Sequence, residues 1–131
     1  MTLIEKGVRI LLIEDVPEDI RFAQIQLKQI FGSKHSVDVA DYFSKALRLL
    51  QIQSFDIIIL DLSLPDSKGL DSFKNIRDSY NIPVIIYTGL DNELVKTEAL
   101  KSGAIDYLIK GKTNSHELKT SIANGIIRYA E

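Results

Sequence analysis

The chain has 131 residues, 45% apolar and 26% charged, the make-up of one globular domain able to bury a core. A formal net charge of −2 with scattered Lys and Arg offers no basic field for direct nucleic-acid binding, and the lack of cysteine excludes disulfides, thiolate chemistry and cysteine-bound zinc. No apolar run approaches a membrane span, and residues 1–7 carry no signal-peptide core, so a single cytoplasmic domain over 1–131 is expected, with no membrane contact.

Val8-Arg9-Ile10-Leu11-Leu12-Ile13 reads as a first buried strand that stops at Glu14-Asp15. Pro17, Glu18 and Asp19 then open a helix, proline suiting its first turn and acids its N-terminus. Ile20, Ala23, Leu27 and Ile30 give that helix a stripe as far as Phe31, and Gly32-Ser33 breaks it. The alternation of residues 36–40 predicts a short strand nearer an edge, and Ala46, Leu47, Leu49 and Leu50 place a helix over about 42–53.

Ile57 to Leu60 is too unbroken for a half-exposed strand and reads as one covered on both faces, as in a parallel sheet. It ends at Asp61, followed by a loop with Pro65 and Gly69. Leu70, Phe73, Ile76 and Arg77 suggest a helix ending near Tyr80, and residues 83–87 a fourth strand ending at Thr88-Gly89. Asp91 is the expected cap of a helix over about 92–102 that Gly103 terminates. Residues 104–109 form a fifth strand ending at Lys110-Gly111. Asn114 with Glu117 resembles a capping box, opening a last helix over about 115–129 with the stripe Leu118, Ile122, Ile126 and Tyr129. Five alternations of strand and helix predict a doubly wound α/β fold with a parallel sheet.

In such a sheet the carboxyl ends of the strands share one edge, where ligands bind. Glu14, Asp15, Asp61, Thr88 and Lys110 therefore converge. Carboxylates about 4 Å apart repel by roughly 4 kcal/mol at an effective dielectric near 20, so the cluster calls for a cation besides Lys110. Oxygen donors without His or Cys suit Mg²⁺. An acidic pocket with a hydroxyl and a lysine suits phosphoryl oxygens, with Asp61 as the nucleophile that becomes an aspartyl phosphate.

The motifs Glu14-Asp15, Asp61 within the run Asp61 to Gly69, Thr88-Gly89 and Tyr107-Leu108-Ile109-Lys110 resemble the receiver domain of two-component response regulators, end to end from Val8 to about Tyr129. The resemblance implies a flavodoxin-like five-stranded parallel sheet of order 2-1-3-4-5 with helices on both faces. It implies Asp61 as phosphoacceptor, Asp15 as direct Mg²⁺ ligand, Glu14 holding the metal through water, and the backbone carbonyl of Ser63 as a further ligand. Thr88 would be the switch hydroxyl, and Lys110 would pair with Asp61 and then with the phosphate. Tyr107 would be the aromatic that swings from exposed to buried with Thr88. Gly111 departs from the pattern, because many receivers have a proline there, often after a cis bond; a trans bond and a different loop path are expected.

The implied role is a signalling domain, not an enzyme acting on an external substrate, that promotes its own phosphorylation and dephosphorylation. Its donor would be a sensor histidine kinase or a histidine phosphotransfer protein. An output domain, a partner or a second copy as homodimer would bind the face of helix 92–102, strand 104–109 and helix 115–129. Two alternatives stand beside it. One is a receiver-like interaction module that works without phosphorylation; the complete set of acidic, hydroxyl and lysine positions argues against it. The other is a metal-dependent phosphate-ester hydrolase, for which the sequence shows no further acid or substrate site. His35 and His116 read as surface residues, Asp66 as a turn or helix-cap residue, and Tyr42, Tyr80 and Tyr129 as packing residues.

Overall fold

The computed structural model describes residues 7–130. Residues 1–6 and 131, on which the signal-peptide reading and the outer bounds of the domain fall, lie outside the described residues. The elements alternate strictly: β1 (Val8–Ile13), α1 (Pro17–Phe31), β2 (His35–Ala40), α2 (Phe43–Ile52), β3 (Ile57–Leu60), α3 (Asp71–Ser79), β4 (Val84–Thr88), α4 (Glu93–Lys101), β5 (Asp106–Ile109) and α5 (Ser115–Tyr129). All strand pairs are parallel, in the order β2-β1-β3-β4-β5. The expected doubly wound, flavodoxin-like fold is what the chain adopts. No helix among the described residues is long and apolar enough to cross a membrane.

Each face of the sheet has its own core. Leu11, Ile13, Ile58, Leu60 and Ile86 point toward α2, α3 and α4, where Phe43, Leu50, Phe73, Ile76 and Ala99 meet them. Ile10, Leu12, Ile57, Ile59 and Ile85 point toward α1 and α5, against Ala23, Leu27, Leu118, Ile122 and Ile126. Burial on both sides is why β3 is a continuous Ile-Ile-Ile-Leu run, all four residues being buried. Gly125 lets α5 sit close to the sheet: a Cβ there would stand 3.0 Å from Ile57 Cδ1 and 3.2 Å from Pro83 Cβ.

Three local expectations are corrected. The cap of α4 is Asn92 rather than Asp91, its side-chain oxygen accepting from the Leu94 and Val95 amides at 2.9 and 3.1 Å. Asp91 instead pairs with Lys112 at 3.0 Å. The fifth strand starts at Asp106 and not at residue 104, because the Ala104 amide still bonds back to Ala99 at the end of α4. His35 is not a surface residue; it opens β2 half-buried, its ring 5.7 Å from that of Phe31. His116 is exposed as expected.

The Asn114–Glu117 capping box is present at the start of α5. Asp66 is a cap too, but of a remote helix. Its carboxylate accepts from the Phe43 and Ser44 amides at 2.6 and 3.0 Å, closing the N-terminus of α2, whose own N-cap residue Tyr42 makes no side-chain bond. Those amides hold the Asp66 carboxyl below the ordinary aspartate range.

Candidate functional site

The register places the strand ends together. Ile13 stands opposite both Ala40 and Leu60, and Thr88 opposite Ile109. The next residues continue the ladder: Glu14 N donates to Ala40 O at 3.0 Å, Asp61 N to Ile13 O at 2.9 Å, and Lys110 N to Thr88 O at 2.8 Å. Neighbouring parallel strands thus deliver Glu14, Asp61 and Lys110 to one edge, with Asp15 entering from the β1–α1 turn.

Carboxylate oxygens of Glu14, Asp15 and Asp61 all lie within 4.8 Å of one another. Glu14 and Asp61 are each only 3% exposed. The Lys110 ammonium bonds Asp61 Oδ2 at 3.2 Å and Asp19 Oδ2 at 2.9 Å, and it also contacts Glu14 Oε1. Glu14 Oε2 accepts from the Asp15 and Val16 amides at 3.0 and 3.2 Å. Asp15 Oδ1 and Asp61 Oδ1 are buried with no hydrogen-bond partner among the described residues.

The electrostatics follow from this crowding. At an effective dielectric near 20, two ionised carboxylates 4.8 Å apart repel by about 3.5 kcal/mol. Burial, aided by the charge of Asp61, pushes the Glu14 carboxyl up to about 7 against the opposing bonds from Lys110 and the Val16 amide. Burial would lower the Lys110 pKa, but hydrogen bonds to Glu14 and Asp19 and the charge of Asp61 outweigh it and hold the ammonium above the ordinary lysine range. A lysine shared by three acids leaves the cluster negative. Two inward-facing carboxylate oxygens without a donor are what a hard divalent cation would satisfy, and an oxygen-only donor set fits Mg²⁺.

Asp19 is a member of the cluster that the sequence reading used only as a helix-opening acid. Its signal was spacing: it lies one helical turn beyond Asp15, in the first turn of α1. Ser63 follows Asp61 by two residues, in the loop before α3, and is exposed. Thr88 is fully buried; its Oγ accepts from the Leu90 amide at 3.3 Å. Tyr107 differs from the expected exposed starting position. It is 3% exposed, and its hydroxyl donates to Leu90 O at 2.6 Å. The ring belongs to the core beneath α4, and the Leu90 carbonyl supplies the partner that a buried phenol needs. One residue, Leu90, thereby links Thr88 to Tyr107. Lys110 reaches the acids although Gly111 follows it, with φ +81° and no cis bond among the described residues.

Beside Lys110, toward α1, lies a pocket of about 260 Å³ whose walls include Leu12, Phe22, Ala23, Ile59 and Tyr87. It opens between the acidic edge and the first helix.

A parallel sheet of order 2-1-3-4-5 with three acids and a lysine at its carboxyl edge defines a class, and comparison with known proteins gives the same class. The family model described as "Response regulator receiver domain" matches residues 10–123, and the chain belongs to that family. It is 34% identical over 114 residues to the "Transcriptional regulatory protein KdpE" of Staphylococcus aureus (strain NCTC 8325 / PS 47), covering 87% of this chain and 48% of that one. It is 33% identical over 101 residues to the "Response regulator ArlR" of Staphylococcus haemolyticus (strain JCSC1435), covering 77% and 45%. The chain thus spans less than half the length of either curated relative. Among solved structures, the Francisella response regulator 1452 receiver domain superposes with a TM-score of 0.77 at 30% identity, covering 93% of this chain and 98% of that one.

Proposed function

We propose that this receiver domain accepts a phosphoryl group on Asp61 from a phosphohistidine of a sensor kinase or histidine phosphotransfer protein, in a Mg²⁺-dependent reaction. The observation that carries the proposal is the Asp61 carboxylate itself: Oδ2 is held by Lys110 at 3.2 Å, while the buried Oδ1 has no partner among the described residues. Lys110 orients the carboxylate through one oxygen, and the other is open to the cation that the reaction requires. In the transfer, an Asp61 carboxylate oxygen forms a bond to phosphorus as the phosphorus–nitrogen bond of the donor breaks, the electron pair returning to the imidazole. Water later cleaves the acyl phosphate and restores the carboxylate.

A Mg²⁺ held by Asp15, Asp61 and the Ser63 carbonyl, with Glu14 behind, would supply positive charge to the phosphoryl oxygens. The chain's own groups do the rest. Lys110 holds Asp61 oriented and is placed to pair with a phosphoryl oxygen once charge grows there. Thr88 Oγ is the hydroxyl at the end of the neighbouring strand. If it turned to the phosphoryl group, it would leave the Leu90 amide, and Leu90 also holds Tyr107. That shared residue is the route by which the acidic edge would reshape the face of α4, β5 and α5. Leu94 on α4 and Ile127 on α5 are exposed apolar side chains on those elements, at 83% and 62%. We assign output contacts, with another domain, a partner or a second copy, to this face, and the chain to the cytoplasm.

The test is phosphoprotein mass after incubation with acetyl phosphate and Mg²⁺. Wild type should gain one phosphoryl group, Asp61→Asn none, and Asp15→Asn should label slowly with weakened Mg²⁺ binding. Undiminished labelling of Asp61→Asn would refute the assignment. A lack of labelling in wild type would favour the phosphorylation-independent interaction module, and multiple turnover of a phosphate ester would favour the hydrolase.

A further inference from the structure

The turn that follows Lys110 begins at a glycine. Gly111 has φ +81°, and a Cβ built there would meet nothing within 4 Å, so no side chain packs the chain into place at that point. The turn is held by bonds instead. Lys112 N donates to Ile109 O at 3.1 Å and Thr113 Oγ to the same carbonyl at 2.9 Å. Lys112 also pairs with Asp91 at the surface, and a buried bond ties the turn to α1: Gln26 Nε2 donates to Thr113 O at 3.1 Å.

Gln26 is 2% exposed, in the middle of a helix face otherwise filled by Ala23, Leu27 and Phe31. A buried amide is costly unless its groups are satisfied, and here both are. A carbonyl only accepts, so the amide nitrogen must face Thr113, which leaves Oε1 to accept from the Tyr87 hydroxyl at 2.8 Å. Tyr87 is 4% exposed and directly precedes Thr88 in β4. Gln26 lies seven residues, two helical turns, from Asp19, so the two share one side of α1. That side of the helix supplies an acid to the Lys110 ammonium and an amide to the turn that carries Lys110.

We propose that Gln26 is a positioning residue for Lys110: its amide anchors the 110–113 turn to α1 and thereby sets where the ammonium stands relative to Asp61. The functional half of this rests on the reading of Asp61 as phosphoacceptor with Lys110 pairing the phosphoryl group. The structural half does not. Without the anchor, the glycine-jointed turn would move the lysine stem while leaving Glu14, Asp15 and Asp61, which directly follow β1 and β3, undisturbed.

The experiment compares wild type, Gln26→Leu and Tyr87→Phe in three measurements: amide hydrogen exchange, Mg²⁺ affinity and the initial rate of labelling by acetyl phosphate at saturating Mg²⁺. Gln26→Leu should exchange at least tenfold faster at residues 110–113 than wild type and label at least tenfold more slowly. Its Mg²⁺ affinity should stay within twofold. Tyr87→Phe keeps the Gln26–Thr113 bond and should label within twofold of wild type. Should Gln26→Leu not fold, Gln26→Asn, one methylene too short to span both partners, takes its place. Three results would overturn the proposal: exchange at 110–113 unchanged in the folded variant, Mg²⁺ affinity falling in step with labelling, or Tyr87→Phe losing as much rate as Gln26→Leu. If wild type does not label at all, the phosphoacceptor reading fails, and exchange alone still decides whether Gln26 anchors the turn.

Discussion

Glu14 makes the metal-free domain unusual in its response to acid. The perturbation is protonation of one carboxyl, raised in the folded state from 4.5 to about 7 by burial and by Asp61. A group whose folded pKa is raised contributes stability that is fully present below its unfolded pKa and is lost as pH rises through the folded one. The window therefore runs from about 4.5 to about 7, and the ionised Glu14 is a burden above it. Each tenfold change in proton affinity is worth about 1.4 kcal/mol, so the full effect is about 3 kcal/mol. Between about pH 8 and about pH 5.5, linkage gives a gain of about 2 kcal/mol. For a domain of this size that raises Tm by roughly 8 °C.

The assay is thermal unfolding in EDTA across that range, for wild type and Glu14→Gln. Groups common to both proteins drop out of the difference. Wild type should gain stability toward pH 5.5 relative to Glu14→Gln, and the variant should be the more stable protein at pH 8. Parallel pH profiles for the two proteins would refute the argument that Glu14 is held ionised at a cost in the acidic cluster.

Further outcomes are expected from the same contacts. Mg²⁺ at a hundredfold excess over its Kd should stabilise the wild-type domain by about 2.7 kcal/mol, and less in Asp61→Asn; no shift in Tm at saturating metal would mean that the three carboxylates do not form a cation site. Asp66→Ala should lose about 1 kcal/mol in urea unfolding, because the Phe43 and Ser44 amides lose their cap. Since the Asp66 pKa is lowered by folding, its contribution is present above the unfolded value near 3.8 and fades as pH falls through the folded one; a wild-type and variant difference that is constant from neutral pH to about pH 2 would contradict this. Gly125→Ala should destabilise by about 1 kcal/mol, since crowding against Ile57, Pro83 and Ile105 exceeds the gain in helix propensity; a variant more stable than wild type would show that α5 can shift outward.

Local chemistry alone made most of the framework readable. The runs of residues 8–13, 57–60 and 83–87 announce strands by their apolar content, and the unbroken Ile57–Leu60 run announces cover on both faces, because a central parallel strand has no solvated face to alternate toward. Their ends, and that of the fifth strand, fell at Glu14, Asp61, Thr88 and Lys110, so the edge that carries the site could be read without coordinates. The Asn114–Glu117 box was legible because a capping box is a contact between near neighbours.

What the tertiary structure decided is what joins distant segments. Asp66 caps a helix that begins 23 residues earlier, and no local pattern distinguishes that from a turn acid. Asn92 rather than Asp91 caps α4 because the cap depends on which of two adjacent side chains faces the first free amides. Asp19 shares Lys110 with Asp61 across 91 residues, and Gln26 holds Thr113 across 87. Tyr107 is buried in the core beneath α4, where a carbonyl of the β4–α4 loop meets its hydroxyl. The raised Glu14 pKa has the same origin. Its residue type is written in the chain, but proton affinity depends on water removed and charges brought near, and only the packed sheet edge sets those distances.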